Sequence, residues 1–326
     1  MTGHLVVGTR VVVRRRLPDG RLGDLLGTLL AADATSLVVR TRHGDVTVAV
    51  ADVVAAKAVP PRATRRGPAH LALSVRDLED VMADGWRAPE TAWLDGPGSW
   101  LLRAAEGFTG RANSALALRP TSAPLAEALD RVAAWYADRA LPATVALAEP
   151  LHDADEAPVP GLRGALDAAG WLERSPTRVM VASALAVPPV QPPPGLVVQA
   201  GDRPDDGWLS LYRYRGQALP EIGLRLLLSA PHQEFVAVRD AGTTVAVGRL
   251  AVSRAWGGVT AMEVAPSHRR RGLARVVLGA LARRSAALGA RALYLQVAEE
   301  NEAGRALYAG SGFTDHHRYA YWSPAR

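Results

Sequence analysis

The stretch of this chain best suited to chemistry is Ala265-Pro266-Ser267-His268-Arg269-Arg270-Arg271-Gly272-Leu273-Ala274. It follows a strand-like run from Val259 to Val264 and leads into Leu273, Val277, Leu281 and Leu288, a stripe at helical spacing closed by Gly289. A strand entering a turn and a helix leaving it bring backbone N–H groups and the positive end of the helix dipole to one point. With no side chain at Gly272 and only a methyl at Ala274, a diphosphate can approach those N–H groups closely, and three arginines add charge-assisted hydrogen bonds. An arginine run before a helix is also an ordinary solvated start, so on mechanism alone both readings stand.

The residues that follow extend the pattern. Arg291 to Ala298 reads as a strand, with Leu293, Leu295 and Val297 alternating against Tyr294 and Gln296. Asn301 then opens a short helix that reaches Leu307-Tyr308 and stops at Gly310-Ser311-Gly312-Phe313. Taken alone, Asn301 is a helix N-cap and Tyr308 a half-buried aromatic with a hydrogen-bond partner.

Taken together, Val264-Ala265-Pro266, then Arg269-x-x-Gly272-x-Ala274, then Asn301-x-x-x-x-x-Leu307-Tyr308-x-x-x-Gly312-Phe313 resembles the GNAT superfamily of acetyl-CoA-dependent N-acetyltransferases. The resemblance is strong over residues 195 to 326. It extends more loosely to the whole chain, as an actinobacterial-type arrangement of an SH3-like barrel, a degenerate GNAT half and an active GNAT half. It implies a mixed α/β (α+β) sheet with a V-shaped splay and acetyl-CoA as co-substrate. Main-chain N–H groups of Arg269, Arg270, Arg271, Gly272, Leu273 and Ala274 would hold the pyrophosphate. The backbone of Val264 and Ala265 would pair with the pantetheine arm and steer the acetyl carbonyl to a polarising N–H. Asn301 would meet the cofactor from the neighbouring strand, and Tyr308 would protonate the leaving thiolate. Gly304 stands where the family usually has alanine, and it is small enough for the packing to survive.

Transfer to an amine also requires a group that takes a proton. Gln296 occupies the place of a glutamate found in some family members, and an amide cannot act as the base. Glu263 is the first candidate, with Glu299, Glu300 and His268 behind it. His316-His317 is not expected to bind metal, because neighbours on a strand face opposite ways and no third ligand is suitably spaced. The chain has no cysteine, which closes a route through an acyl-thioester enzyme and leaves direct attack in a ternary complex. Its one lysine, Lys57, lies in Ala-Ala-Lys-Ala and serves neither a Walker A loop nor a Ser-x-x-Lys motif.

The elements that must position these residues fall into three charge segments. Residues 1–70 carry 11 basic and 5 acidic side chains, 71–187 carry 10 and 16, and 188–326 carry 17 and 11, giving +6, −6 and +6. Residues 1–60 read as five short strands with turns between them, a small SH3-like barrel. Arg14-Arg15-Arg16 is expected to be a solvated edge, since no aromatic platform precedes Trp86. Linkers are expected at 61–70 and at the proline-rich 188–195, so that 71–187 forms the degenerate GNAT-like domain and 196–326 the catalytic one. In the middle unit Arg111, Asn113 and Ser114 suit either a ligand groove or, better, a polar hairpin turn.

The function expected is acetyl transfer to a primary amine, either a small molecule or a protein lysine or N-terminus, in the cytoplasm and without nucleic acid, membrane or metal. The alternative is a CoA-binding sensor that docks a macromolecule through the barrel.

Overall fold

The computed structural model describes residues 5–63, 67–151, 156–213 and 216–325. They form two compact units, one made by the chain up to Arg62 and one by nearly all that follows.

In the first unit β1 (Arg10–Arg16), β2 (Leu22–Ala32), β3 (Ser36–Thr41), β4 (Gly44–Ala49) and β5 (Val53–Ala58) form one antiparallel sheet, in the order β4-β3-β2-β1-β5. Period-two alternation sends Val11, Val13, Leu29, Leu37, Val39 and Val48 to the buried face. The arginine run is not on an edge as expected. β1 is paired on both sides, and Arg14 meets Asp24 of β2 at 3.0 Å while both stay about half exposed, so the run is solvated but lies inside the sheet.

The second unit is built in two stretches. The first gives α1 (Val75–Ala83), β6 (Glu90–Trp93), β7 (Trp100–Ala104), β8 (Ala115–Ala117), α2 (Leu125–Ala137), β9 (Val145–Pro150), α3 (Leu162–Ala168) and β10 (Trp171–Ser183). The second gives β11 (Leu196–Gly201), α4 (Asp206–Leu211), α5 (Glu221–Leu227), β12 (His232–Asp240), β13 (Thr243–Ser253) and β14 (Trp256–Val264). It closes with α6 (Leu273–Ala287), β15 (Ala292–Ala298), α7 (Glu302–Ala309) and β16 (Thr314–Pro324). All eleven strands share one mixed sheet, in the order β11-β12-β13-β14-β15-β10-β16-β9-β8-β7-β6.

This order contains an exchange. β10, the end of the first stretch, pairs with β15, and β16, the end of the chain, pairs with β9, while β10 and β16 pair with each other at the seam. The Pro188–Gly195 segment therefore connects two stretches that complete each other's sheet. Among the described residues the only parallel neighbours are β14 with β15 and β8 with β9, one pair in each stretch.

Alternation along the central strands separates the two faces. Met180, Ala182, Leu293, Leu295 and Val297 pack with α6, whose Leu273, Val276, Val277 and Leu281 are buried. Val179, Val181 and Tyr294 pack on the other face against Leu78, Val81 and Met82 of α1. Leu288, expected on the α6 stripe, follows the last helical turn and is 43% exposed. Helix α1 starts where Ser74 Oγ accepts the Asp77 N–H at 3.1 Å. No helix among the described residues is long and apolar enough to cross a membrane.

Candidate active site

Strand β14 is paired with β15 only from Trp256 to Val259, although it runs on to Val264 and β15 runs on to Ala298. Beyond Val259 the two strands part, leaving a slot in the middle of the sheet. Ala261 sits in the slot with φ +52°, and the pairing with β13 slips between Val247 and Arg249. A β-branch-free residue in the left-handed region costs about 1–2 kcal/mol, and here it forms a bulge that re-aims the strand beside the slot. Nothing in the residue types of Thr260-Ala261-Met262 announced it.

At the end of β14 the chain makes one 3-10 turn, Pro266–His268, and enters α6 through Gly272 at φ +80° and ψ 0°. Arg270 is also left-handed, at φ +63°. Alternating right- and left-handed residues turn successive N–H groups inward, the arrangement that holds anions. The N–H of His268 goes to the Ala265 carbonyl and that of Arg275 to Gly272, while those of residues 270 to 274 have no partner among the described residues and α6 has no side-chain cap. A cavity of about 500 Å³ opens in front of them, lined by Val264, His268, Arg269, Arg270, Gly272, Leu273, Ala274 and Arg275, and across from these by Ala303, Ala306 and Leu307 of α7. Its lining carries arginines and a histidine and no carboxylate, so an anion with several oxygens fits it in charge and donor count.

The structure gathers most of the residues predicted for cofactor binding and spreads the others. Arg271 is exposed beside the cavity and does not line it. Val264 and Ala265 behave differently from each other: the Ala265 N–H is committed to the Val245 carbonyl at 2.9 Å, while the Val264 carbonyl takes only the Arg269 side chain, Nε at 3.2 Å, among the described residues. Only Val264 thus presents backbone to the slot, with an arginine side chain resting on it. Asn301 caps α7, its Oδ1 accepting the Gly304 N–H at 2.9 Å. The glycine makes room for that cap, since a Cβ there would stand 2.7 Å from Asn301 Nδ2.

Tyr308, one residue past Leu307 on α7, packs its ring on the core under α6 and edge-on to Phe313 at 6.1 Å. Its hydroxyl makes no hydrogen bond among the described residues, and burial pushes the phenol up to about 12, so it keeps its proton at neutral pH. Glu263 pairs with Arg269 at 3.3 Å. Met262 and Val264 face α6, which leaves Glu263 on the opposite face at the open end of the slot. The other base candidates are engaged elsewhere: His268 with Asp240 at 3.1 Å, and Glu299 with Arg178 at 2.8 Å. Glu300 is an exposed turn residue.

On that opposite face lies a larger cavity of about 950 Å³. Gln296 and Ala298 of β15, Tyr319 and Tyr321 of β16, Arg174, Ser175 and Thr177 of β10 and the turn at Thr109 to Arg111 are among the residues that line it. Gln296 Nε2 rests 3.6 Å from Met82 Sδ of α1. Of the three polar residues noted in the middle stretch, Arg111 faces this cavity. Asn113 and Ser114 instead lock the turn, Asn113 Oδ1 accepting the N–H groups of Ala105 and Gly107 and Ser114 Oγ donating to the Gly110 carbonyl.

One premise about the histidine pair is corrected. The pairing of β16 with β10 slips at His316, and this bulge brings both imidazoles to one buried site, Nδ1 to Nδ1 at 2.8 Å, with His317 Nε2 on Glu79 at 2.9 Å. No cluster of three or more metal-ligating side chains occurs among the described residues.

Comparison with known proteins places the fold. A family model described as "Probable histone acetyltransferase Rv0428c C-terminal" matches residues 73–322, and a second, "Rv0428c N-terminal Sm-like domain", matches residues 5–57. Similar solved structures include a GCN5-related N-acetyltransferase from Kribbella flavida, 15% identical over 77% of this chain and 96% of that one, TM-score 0.59. A functionally unknown conserved protein from Staphylococcus epidermidis is 10% identical over 76% of this chain and 100% of that one, TM-score 0.53. A tandem GNAT protein from the clavulanic acid biosynthesis pathway is 16% identical over 80% of this chain and 91% of that one, TM-score 0.51. No curated protein matches the chain.

Proposed function

The chain belongs to the Rv0428c acetyltransferase family, and from that premise we propose that it carries the acetyl group of acetyl-CoA to a primary amine by direct attack in a ternary complex. The observation that carries the reading is the slot between β14 and β15, which has unpartnered N–H groups of residues 270 to 274 at its rim and Tyr308 on the helix beyond. The diphosphate of CoA would take those N–H groups, with Arg270 and Arg275 beside them. The pantetheine arm would run down the slot along Val264, displacing Arg269 from its carbonyl. The bulge at Ala261 would offer the acetyl oxygen a backbone N–H, an oxyanion contact.

In the transfer step the amine nitrogen bonds to the acetyl carbon and the carbon–sulfur bond breaks. The surplus proton on nitrogen passes through water to Glu263, and the departing thiolate takes the proton of Tyr308, so the products are an amide and free CoA. With the phenol held protonated by burial, Tyr308 suits this role across the neutral range. The family description names a histone acetyltransferase, which makes a protein lysine one acceptor class and a small amine the other.

Thiol release from acetyl-CoA over a panel of amines tests the reading. Tyr308→Phe is expected to keep its affinity for CoA and to lose turnover by about a hundredfold. Binding of acetyl-CoA with no thiol released by any amine would replace the enzyme with a non-catalytic CoA sensor.

A further inference from the structure

Resting on the acetyl-transfer reading, we infer that the 950 Å³ cavity on the α1 face of the sheet receives a small amine that also carries a carboxylate, gripped by Arg111 with Arg174 at the rim. A basic stretch of polypeptide does not suit it.

Position comes first. The pairing of β14 with β15 ends at Leu295, and Gln296 and Ala298 are the next residues of β15 on the α1 face. An amine lying against them meets the slot from the side opposite α6, where Glu263 also lies. A donor gripped at the start of α6 and an acceptor in this cavity would therefore approach one gap from the two faces.

Charge comes second. Among the described residues the cavity is lined by two arginines, two tyrosines and no carboxylate. The nearest acidic side chains along β9, β10 and β15 are Glu149, Glu173 and Glu299, and each is already paired with Arg163, Arg178 or Arg318. Glu79, below the cavity floor, is held by His317.

The third observation is positive charge with no carboxylate partner. Arg111 and Arg249 stand over the same indole, 5.5 and 5.1 Å from the centre of Trp86. Arg249 is fully buried and is satisfied only by the carbonyls of Leu227 and Gly85 and by Thr260 Oγ1. Neither arginine forms an ion pair with a carboxylate among the described residues. Burial pushes the Arg249 guanidinium down to about 10, and the charge of Arg111 adds to that shift. Arg111 itself is raised despite its burial, because the phenols of Tyr319 and Tyr321 lie beside it and Tyr319 hydrogen-bonds to it, so its partners are phenols and no carboxylate. Buried guanidinium groups without counter-ions are costly, and a ligand carboxylate brought to Arg111 supplies the missing charge in a planar, two-pronged contact. A lysine flanked by further cations, as in a basic protein tail, would bring more positive charge to a cavity lined by two arginines and no carboxylate among the described residues.

The experiment uses the full chain with saturating acetyl-CoA. It compares free L-amino acids with their C-terminal amides and with a lysine-rich peptide, by thiol release and by calorimetric binding in the presence of CoA. The acids are expected to exceed their amides in kcat/KM by about ten- to a hundredfold, the worth of one charged hydrogen-bonded contact. Arg111→Gln should collapse this ratio. Because Arg111 is packed among aromatics, Arg174→Gln, at an exposed position, provides a second variant and should reduce the same ratio. Equal turnover of acids and amides, preference for the peptide, ratios unmoved by both variants, or no binding of any acid would each overturn the proposal. If CoA itself fails to bind, the acetyl-transfer reading falls, while calorimetry of the same acids against the wild type and the two arginine variants still judges the cavity.

Discussion

Replacing Gly272 with alanine separates diphosphate binding from ordinary backbone strain. Gly272 has φ +80° and an added Cβ would meet nothing within 4 Å, so folding loses only the left-handed penalty of about 1–2 kcal/mol. Gly289, just past the other end of the same helix, has φ +82° and equally open space, so Gly289→Ala carries the same penalty far from the cavity. The open space at Gly272 is the cavity itself. A methyl there holds the diphosphate oxygens off their donors. If two of the unpartnered N–H groups between residues 270 and 274 are lost to the ligand, each charged hydrogen bond being worth about 1.5–3 kcal/mol, affinity falls by about 3–6 kcal/mol. At about 1.4 kcal/mol per factor of ten, that is roughly a hundred- to ten-thousandfold in Kd. Calorimetric titration of both variants with CoA, and with pantetheine, which has no diphosphate, reads the effect. Gly272→Ala should weaken CoA alone and Gly289→Ala neither ligand. Equal CoA affinities in the two variants would refute the assignment of this turn.

Glu263→Gln should lower kcat at neutral pH by about a hundredfold and flatten the acid limb of the kcat profile, and an unchanged profile assigns the proton to another group. Asp84 is buried, which pushes its carboxyl up, but Arg254 and Arg87 outweigh this and hold it below the usual carboxylate range. Since its folded pKa is the lower one, its contribution is present at neutral pH and fades as the pH falls through and below about 4. Asp84→Asn takes one of two carboxylates from Arg254, which keeps Asp80, and should cost about 1.5–3 kcal/mol in urea unfolding at pH 7, with part of the acid sensitivity gone; a loss below about 1 kcal/mol would mean the network behaves like an exposed pair.

What the sequence discloses follows the range of the interactions. The turn from Arg269 to Ala274 and the five strands of the first unit are legible because their cause lies within a dozen residues: alternation, turn formers, a glycine before an apolar stripe. Helix α1 is not legible, because Glu79, Asp80 and Asp84 read as a solvated face. Two of them are buried only because Arg254 and His317, some 170 and 238 residues away, pair with them. The bulges at Ala261 and His316 are invisible for a related reason, since each is an offset against a partner strand and no residue type at either position demands it. Arg111 could be noticed as polar in a turn, but its lack of a counter-ion becomes evident only when Trp86 and Arg249 are brought to it.

The strand exchange explains why the motif-bearing stretch does not contain its whole site. β15 borders the slot with one edge, and its other edge is paired with β10 at all seven positions from Ala292 to Ala298. The strand that must stay in place while its neighbour β14 diverges is therefore braced by residues from before the proline-rich segment. The same exchange builds the larger cavity, whose walls include Arg174, Ser175 and Thr177 on β10 and Tyr319 and Tyr321 on β16, with Arg111 reaching in from the turn before β8. Without the first stretch, β15 would be an unpaired edge, and Arg111, the proposed carboxylate grip, would be absent. On the proposed reading, the first stretch thus supplies most of the acceptor side, and the stretch with the Arg269–Ala274 turn supplies the donor side.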